Sequence, residues 1–199
     1  MDLTFYYDVV CPYAYLASTQ VARVAERADA TLHYQPMLLG GVFRAIGAPD
    51  APPMAEAKAK MNRLDLARLA AWLGVPLNHP EDAHPRRTVL AMRTILAAGG
   101  QLVPATEALF RAYWVDGVDV ADPEAVAAAL DGAGLDGAAL VERASTQEIK
   151  DALRKGTDAA VAAGVFGAPS FVVDGEVYWG VDRLGLVERA LHGWKVGAA

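Results

Sequence analysis

The chain opens on an aromatic and β-branched segment, residues 3–10, in the pattern of a strand. From Tyr13 to about Ala28 the apolar positions change spacing. Leu16, Val21 and Val24 recur as they would along one face of a helix. Cys11 and Pro12 lie between the two patterns. Proline suits a first helical turn, because its missing N–H would be unpaired there anyway. Cys11 is therefore predicted where a strand gives way to a helix. Residues 31–39 alternate again and predict a second strand. Residues 40–53 hold Gly40, Gly41, Gly47, Pro49, Pro52 and Pro53, which predicts a loop with at most one short turn around residues 43–46.

From Met54 to about Gly164 the pattern is almost entirely helical, with stops near Gly74-Val75-Pro76, Gly99-Gly100, Gly117 and Gly134. Asp122-Pro123-Glu124 sets a capping residue before a first-turn proline, and Ser145-x-x-Glu148 has the form of a capping box. Ser170–Val173 then reads as a short strand, Asp174-Gly175 as a hairpin turn and Glu176–Trp179 as the partner strand. Asp182 is predicted to cap a last helix running to about Leu191. The order β-α-β, helical block, β-β-α predicts an α/β, thioredoxin-like fold with an all-helical insertion. The thioredoxin-like part takes residues 1–53 and 164–199, and the inserted helical domain takes residues 54–163.

Composition narrows the function classes. Hydrophobic residues make up 54% of the 199, enough for a large core. The net charge is −6, and the longest basic feature is Arg86-Arg87 with Arg93 beyond it, so no nucleic-acid partner is expected. The alanine-rich stretches are broken by charged residues or glycine before they could span a bilayer, so no membrane partner is expected either. The N-terminal residues have no basic region followed by an apolar one, unlike a secretory signal. With a single cysteine no internal disulfide can form. Both features lead to the expectation of a cytoplasmic protein.

Cys11 is the first candidate for chemistry. The thiolate is the reactive form of cysteine, and a helix N-terminus favours it by stabilising negative charge. Read alone, Cys11 could equally be a small buried hydrophobe. Gly167-Ala168-Pro169-Ser170 is the second candidate. An X-Pro bond just before a strand could be cis, although an ordinary trans proline opening an edge strand fits as well. In the thioredoxin order the two loops lie side by side, which makes the pair far more specific than either alone.

Asp8-Val9-Val10-Cys11-Pro12-Tyr13-Ala14-Tyr15-Leu16 resembles the start of the DsbA-like group that holds the kappa-class glutathione transferases and the 2-hydroxychromene-2-carboxylate isomerases. The tail from Gly164 to Leu184, with Gly167-Ala168-Pro169-Ser170 and Gly180-Val181-Asp182-Arg183, is similar to that group more closely still. Leu38-Leu39-Gly40-Gly41-Val42-Phe43 and Ala57-Lys58-Ala59-Lys60 match in kind.

The resemblance implies a site for glutathione, or for an equivalent low-molecular-weight thiol, facing Cys11. It implies that the Ala168 backbone, before a cis Pro169, pairs with the tripeptide backbone. Asp182 would take the α-amino group, and free N–H groups near Asp182 and Arg183 would favour the γ-glutamyl carboxylate. Tyr13 beside the thiol, and Lys58 or Lys60 as cations toward an anionic substrate, are implied substrate contacts. A solvated helix face is the alternative for both lysines. A homodimer and a small aromatic or electrophilic substrate are also implied.

The chain departs from the group in three places. Most members carry serine where Cys11 stands. Ala14 occupies the place of a resolving cysteine, which removes two-cysteine chemistry within one chain. The loop over residues 47–53 lacks the group's asparagine. The function implied first is a glutathione-dependent isomerase of the 2-hydroxychromene-2-carboxylate type. A kappa-class-like transferase and a monothiol disulfide reductase using Cys11 as nucleophile are the alternatives.

Three other features read as structural. Gly132-Ala-Gly134-Leu-Asp-Gly137 follows a helix rather than a strand and so reads as a turn, not a dinucleotide loop. His79 and His84 lack the companions of a metal site, and no metal is expected. Tyr15, Trp72, Trp114 and Trp179 read as core aromatics rather than pocket walls.

Overall fold

The computed structural model describes residues 1–49, 55–80 and 84–197. The expected boundary at residues 53/54, the helix start at Met54 and the proline-rich end of the loop lie outside these described residues, as do the last two residues. Strand β1 (Asp2–Tyr7) leads into helix α1 (Pro12–Arg27), and β2 (Thr31–Pro36) follows. Helices α2 (Leu39–Ala45), α3 (Glu56–Leu73), α4 (Val89–Ala97), α5 (Leu102–Trp114), α6 (Pro123–Asp131), α7 (Gly137–Arg143) and α8 (Gln147–Ala162) come next. Strands β3 (Ser170–Val173) and β4 (Glu176–Trp179) precede a 3-10 turn, Val181–Arg183, and helix α9 (Leu184–Leu191).

The sheet order is β2-β1-β3-β4. β1 runs parallel to β2 and antiparallel to β3, and β3 pairs antiparallel with β4. This is the DsbA-like thioredoxin fold in its mixed four-stranded form. Pairing of Tyr6 with Ser170 sets the end of β1 beside the start of β3. The residues just after β1 and just before β3 must therefore meet, and these are Cys11 and Ala168-Pro169.

Phe5, Tyr7 and Phe171 stack along one sheet face with centroids 5.0 and 5.4 Å apart. Phe110 of α5 continues the stack to Tyr7 at 5.7 Å. One continuous buried cluster includes Phe5 and Phe171 of the sheet together with Leu109 and Trp114 of α5 and Leu153 of α8. Helices from the long central block thus share a core with the sheet. α8 packs against β2 and α2 on one side and against α4 on another.

Several expectations need correction. β1 ends at Tyr7 rather than at residue 10, because Asp8-Val9-Val10 turns away to make other bonds. β2 ends at Pro36, and a helix, α2, stands where a loop was expected. The first N–H groups of α2 are capped by distant residues: Leu39 N–H donates to Asp8 Oδ2 at 2.9 Å, and Leu38 N–H to Thr157 Oγ1 at 3.0 Å. Gly41 does not break this helix but lets it approach α8. A Cβ at Gly41 would come within 3.0 Å of Thr157 Cγ2.

Thr146, not Ser145, caps α8. Its side chain accepts from Ile149 N–H, while Ser145 Oγ donates to the Glu142 carbonyl. Asp122 caps α6 as expected, and the hairpin turns through Asp174 (φ 50°) and Gly175 (φ 80°). Among the described residues no single helix is long and apolar enough to cross a membrane.

Candidate active site

The Cys11 loop is held from every side. Asp8, only 2% exposed, accepts Val10 N–H on Oδ1 at 3.1 Å and Leu39 N–H on Oδ2 at 2.9 Å, and it also bonds Thr88. Val9 N–H points at Met92 Sδ, 3.4 Å away, and the Val9 carbonyl accepts from the indole of buried Trp114 at 2.8 Å. Cys11 N–H donates to the Asp8 carbonyl at 3.1 Å. Cys11 then takes an extended conformation (φ −92°, ψ 116°) and caps α1 without a side-chain cap bond, with Pro12 in the first turn. The strand-to-helix junction is as expected.

The thiol crosses to the second loop. Cys11 Sγ donates to the Ala168 carbonyl at 3.1 Å, 157 positions away in sequence. The Ala168-Pro169 bond is cis. Ser170 Oγ donates to the Gly167 carbonyl at 2.8 Å, and the Pro169 carbonyl accepts Gly180 N–H at 3.0 Å, so this loop is closed on itself and tied to the turn before α9.

The electrostatics of Cys11 run against the sequence expectation. Burial pushes its thiol up to about 12. N–H groups of Ala14 and Tyr13 at the start of α1 act in the expected, lowering direction but lose to burial, and the nearby Asp8 carboxylate raises the thiol further. At neutral pH Cys11 is therefore an S–H donor. Burial also raises Asp8 itself, against the bonds from Leu39, Thr88 and Val10.

Asp182 lies inside the 3-10 turn rather than at a helix cap. No side-chain cap bond is made there, and Arg183 is the residue preceding α9. The chain enters the turn through Gly180 at φ 108°, and a Cβ at Gly180 would fall 2.5 Å from Asp182 Oδ1. The glycine thus makes room for the Asp182 carboxylate, which also pairs with Arg183 at 3.5 Å. Both side chains are more than half exposed.

Tyr13 joins these parts. Its hydroxyl is raised to about 12, first by burial and then by the charges of Asp65, Cys11 and Asp182. Tyr13 thus sits among Cys11, the Asp182 turn and Asp65 of α3. Lys58 and Lys60 project, exposed, from the first turns of α3. Lys58 is seven residues before Asp65, two turns along the same face, whereas Lys60 faces elsewhere.

Two residues of this neighbourhood were not singled out from sequence. Asp8 did leave a signal, being the one charged residue between Leu3 and Cys11. Asp65 left none in a helix full of charge. His79 and His84 meet edge-to-face with centroids 5.2 Å apart, both against Trp114, and His84 Nδ1 lies 2.9 Å from the Tyr113 hydroxyl. Burial, then His79, holds His84 down to about 4. These rings form a packed aromatic cluster under the Cys11 loop. Tyr15 and Trp114 are core, while Trp72 and Trp179 are exposed.

A lone buried thiol bonded to a cis-proline loop, on this sheet, is the arrangement of a thioredoxin-related protein. The chain belongs to the DSBA-like thioredoxin domain family, whose pattern covers residues 2–192. Within that family it is 31% identical over 192 residues to a 2-hydroxychromene-2-carboxylate isomerase of Sphingobium xenophagum, covering 95% of this chain and 97% of that protein. Identity to glutathione S-transferase kappa 1 of Homo sapiens is 28% over 202 residues, covering 94% of this chain and 88% of that protein. A solved structure of a 2-hydroxychromene-2-carboxylate isomerase matches with a TM-score of 0.83 at 26% identity, covering 97% of this chain and 95% of that one. Relatives of these kinds make an enzyme the plain expectation for this chain.

Proposed function

We propose that this protein is a glutathione-dependent isomerase of the 2-hydroxychromene-2-carboxylate type, acting in the cytoplasm on a small aromatic keto acid. The observation that carries this reading is the buried Cys11 thiol, 3.1 Å from the Ala168 carbonyl, where burial disfavours the thiolate. A buried S–H is a poor nucleophile, but it can donate a hydrogen bond to the sulfur of a bound thiolate. That is the role a serine hydroxyl would play at the same place. The nucleophile is then the glutathione thiolate. It adds to the conjugated carbon of the substrate, forming a C–S bond and an enolate. The former double bond rotates, and collapse of the enolate breaks the C–S bond and returns the thiolate. No thiol is consumed.

In this reading the Ala168 backbone at Pro169 pairs with the glutathione backbone. Asp182 takes its α-amino group, and N–H groups at the turn through Arg183 take the γ-glutamyl carboxylate. Tyr13 borders the substrate. Lys58, on the face of α3 that carries Asp65, is favoured over Lys60 for the substrate carboxylate. The missing loop asparagine falls among residues 47–53, partly outside the described residues. A homodimer, and the treatment of residues 54–163 as an inserted unit, belong to the same proposal.

The kappa-class relatives favour a second reading in which glutathione stays on an electrophilic substrate. A monothiol reductase is disfavoured by the raised Cys11 thiol. The deciding assay follows an arylidene-pyruvate with and without glutathione, in the native protein and in Cys11→Ser. Glutathione-dependent isomerisation, kept within about tenfold in the serine variant, is expected. Loss of turnover in Cys11→Ser, together with a trapped Cys11–glutathione disulfide in the native protein, would replace this reading with the reductase. Accumulation of a stable adduct would replace it with the transferase.

A further inference from the structure

A cavity of about 420 Å³ opens between the N-terminal half of α4, the α7–α8 junction and Ala121. None of Cys11, Tyr13, Ala168 or Asp182 lines it. Its size falls in the range of small-molecule sites. Three of its lining side chains are cationic, Arg87, Arg93 and Lys150, and among the described residues no carboxylate lines it. In a chain of net charge −6 this is a local reversal of sign.

None of the three cations makes an ion pair among the described residues, although neighbouring Arg86 and Arg143 do, with Asp119 and Glu148. Arg93 Nε is shielded from water and has no hydrogen-bond partner. A shielded guanidinium N–H without an acceptor is costly to keep and marks a position where an acceptor is wanted. The remaining wall is largely apolar, with Val89, Leu90, Val141 and Ala144.

We propose that this cavity is a second binding site, for an organic anion that joins one carboxylate or sulfonate to a compact apolar body. The guanidinium of Arg93 and the ammonium of Lys150 would hold the anionic head, with Arg87 at the rim, and the apolar wall would cover the body. A bare inorganic anion leaves that wall wet, and a neutral molecule leaves the three cations unanswered. The site adjoins the support of the Cys11 loop, since α4 also carries Met92, and Thr88 just before it, which contact Val9 and Asp8 on another face of the helix.

The test is calorimetric titration of the whole protein, with saturating glutathione present to occupy the Cys11 site. The probes are 2-naphthoate, decanoate, the neutral 2-naphthylmethanol and inorganic phosphate. At least one of the two acids binds, about tenfold or more tighter than the alcohol and than phosphate. The tighter of the two acids identifies the apolar body as aromatic or aliphatic. Arg93→Met with Lys150→Gln weakens that acid by about tenfold or more, and exposed Arg87→Gln, which leaves folding undisturbed, weakens it by about threefold. Asp182→Ala does not change it. The proposal is overturned if neither acid binds at millimolar concentration, if acid and alcohol bind alike, if the cation variants bind as the native protein does, or if Asp182→Ala is the variant that loses binding.

Discussion

The loop at residues 167–170 is bonded on one side to Cys11 and on the other to Gly180, two residues before Asp182, yet the two sides are built differently. On the Cys11 side the polar side chains are bonded within the protein. Asp8, Cys11, Val9 and Ser170, all buried, are tied to Leu39, Ala168, Trp114 and Gly167. On the Asp182 side the side chains stand in solvent with one short-range ion pair between them, and among the described residues the α3 lysines make none. Burial on the first side fixes geometry and pushes the thiol up, disfavouring the thiolate. Exposure on the second leaves donors and acceptors for a charged ligand to collect. In the proposed function, chemistry and recognition are thus separated by burial, and substitutions on the two sides should fail in different ways.

Asp8→Ala is expected to have the largest effect. It leaves the partly buried N–H groups of Val10 and Leu39 without the Asp8 acceptor and should cost about 2–4 kcal/mol of folding stability, read by urea denaturation. Asp8→Asn, which keeps one accepting oxygen, should cost about half as much. It should also lower the Cys11 thiol, because the carboxylate charge that opposes ionisation is gone. An unchanged midpoint in Asp8→Ala would break the contrast at its root.

Cys11→Ala comes next. It removes the donor to the thiolate while sparing the fold, so kcat/KM should fall by about 10–100-fold with glutathione affinity changed little. Asp182→Ala should do the reverse, weakening glutathione about tenfold by calorimetry with no loss of melting temperature, since the residue is exposed. The smallest effect separates the lysines. Lys58→Ala should raise KM for an anionic substrate about threefold, and Lys60→Ala should leave it unchanged. Equal effects of the two would mean that α3 does not present one face to the site.

The buried side was largely legible in the sequence. Cys-Pro after an aromatic strand and Ala-Pro before a β-branched one place the two loops together once the strand order is known. What could not be read was the energetic outcome at Cys11. Helix polarity and burial push a thiol in opposite directions, and only the packing of Trp114, Met92 and Asp8 around the loop decides between them. Helix α2 was hidden for a similar reason. Its caps, Asp8 and Thr157, are far away in sequence, and its glycines looked like loop residues until α8 was packed against them. Asp182 was misplaced by one position because Gly180 first sends the chain into a 3-10 turn. Exposed residues such as Lys58 and Lys60 leave no pattern at all, and only the register with Asp65 on α3 tells them apart.

The most direct test of this account is titration of the one thiol in the chain, by thiolate absorbance at 240 nm in Tyr-corrected difference spectra or by the pH dependence of its alkylation rate. Because the folded protein holds the proton above the ordinary thiol range, stability contributed by Cys11 is full below that range. It is lost as pH rises through it toward about 12. The account predicts a thiol that stays protonated through neutral pH and an alkylation rate still climbing at the alkaline end, with no plateau below about pH 10. A thiolate that is fully formed at pH 7 would contradict it, and would make Cys11 the nucleophile.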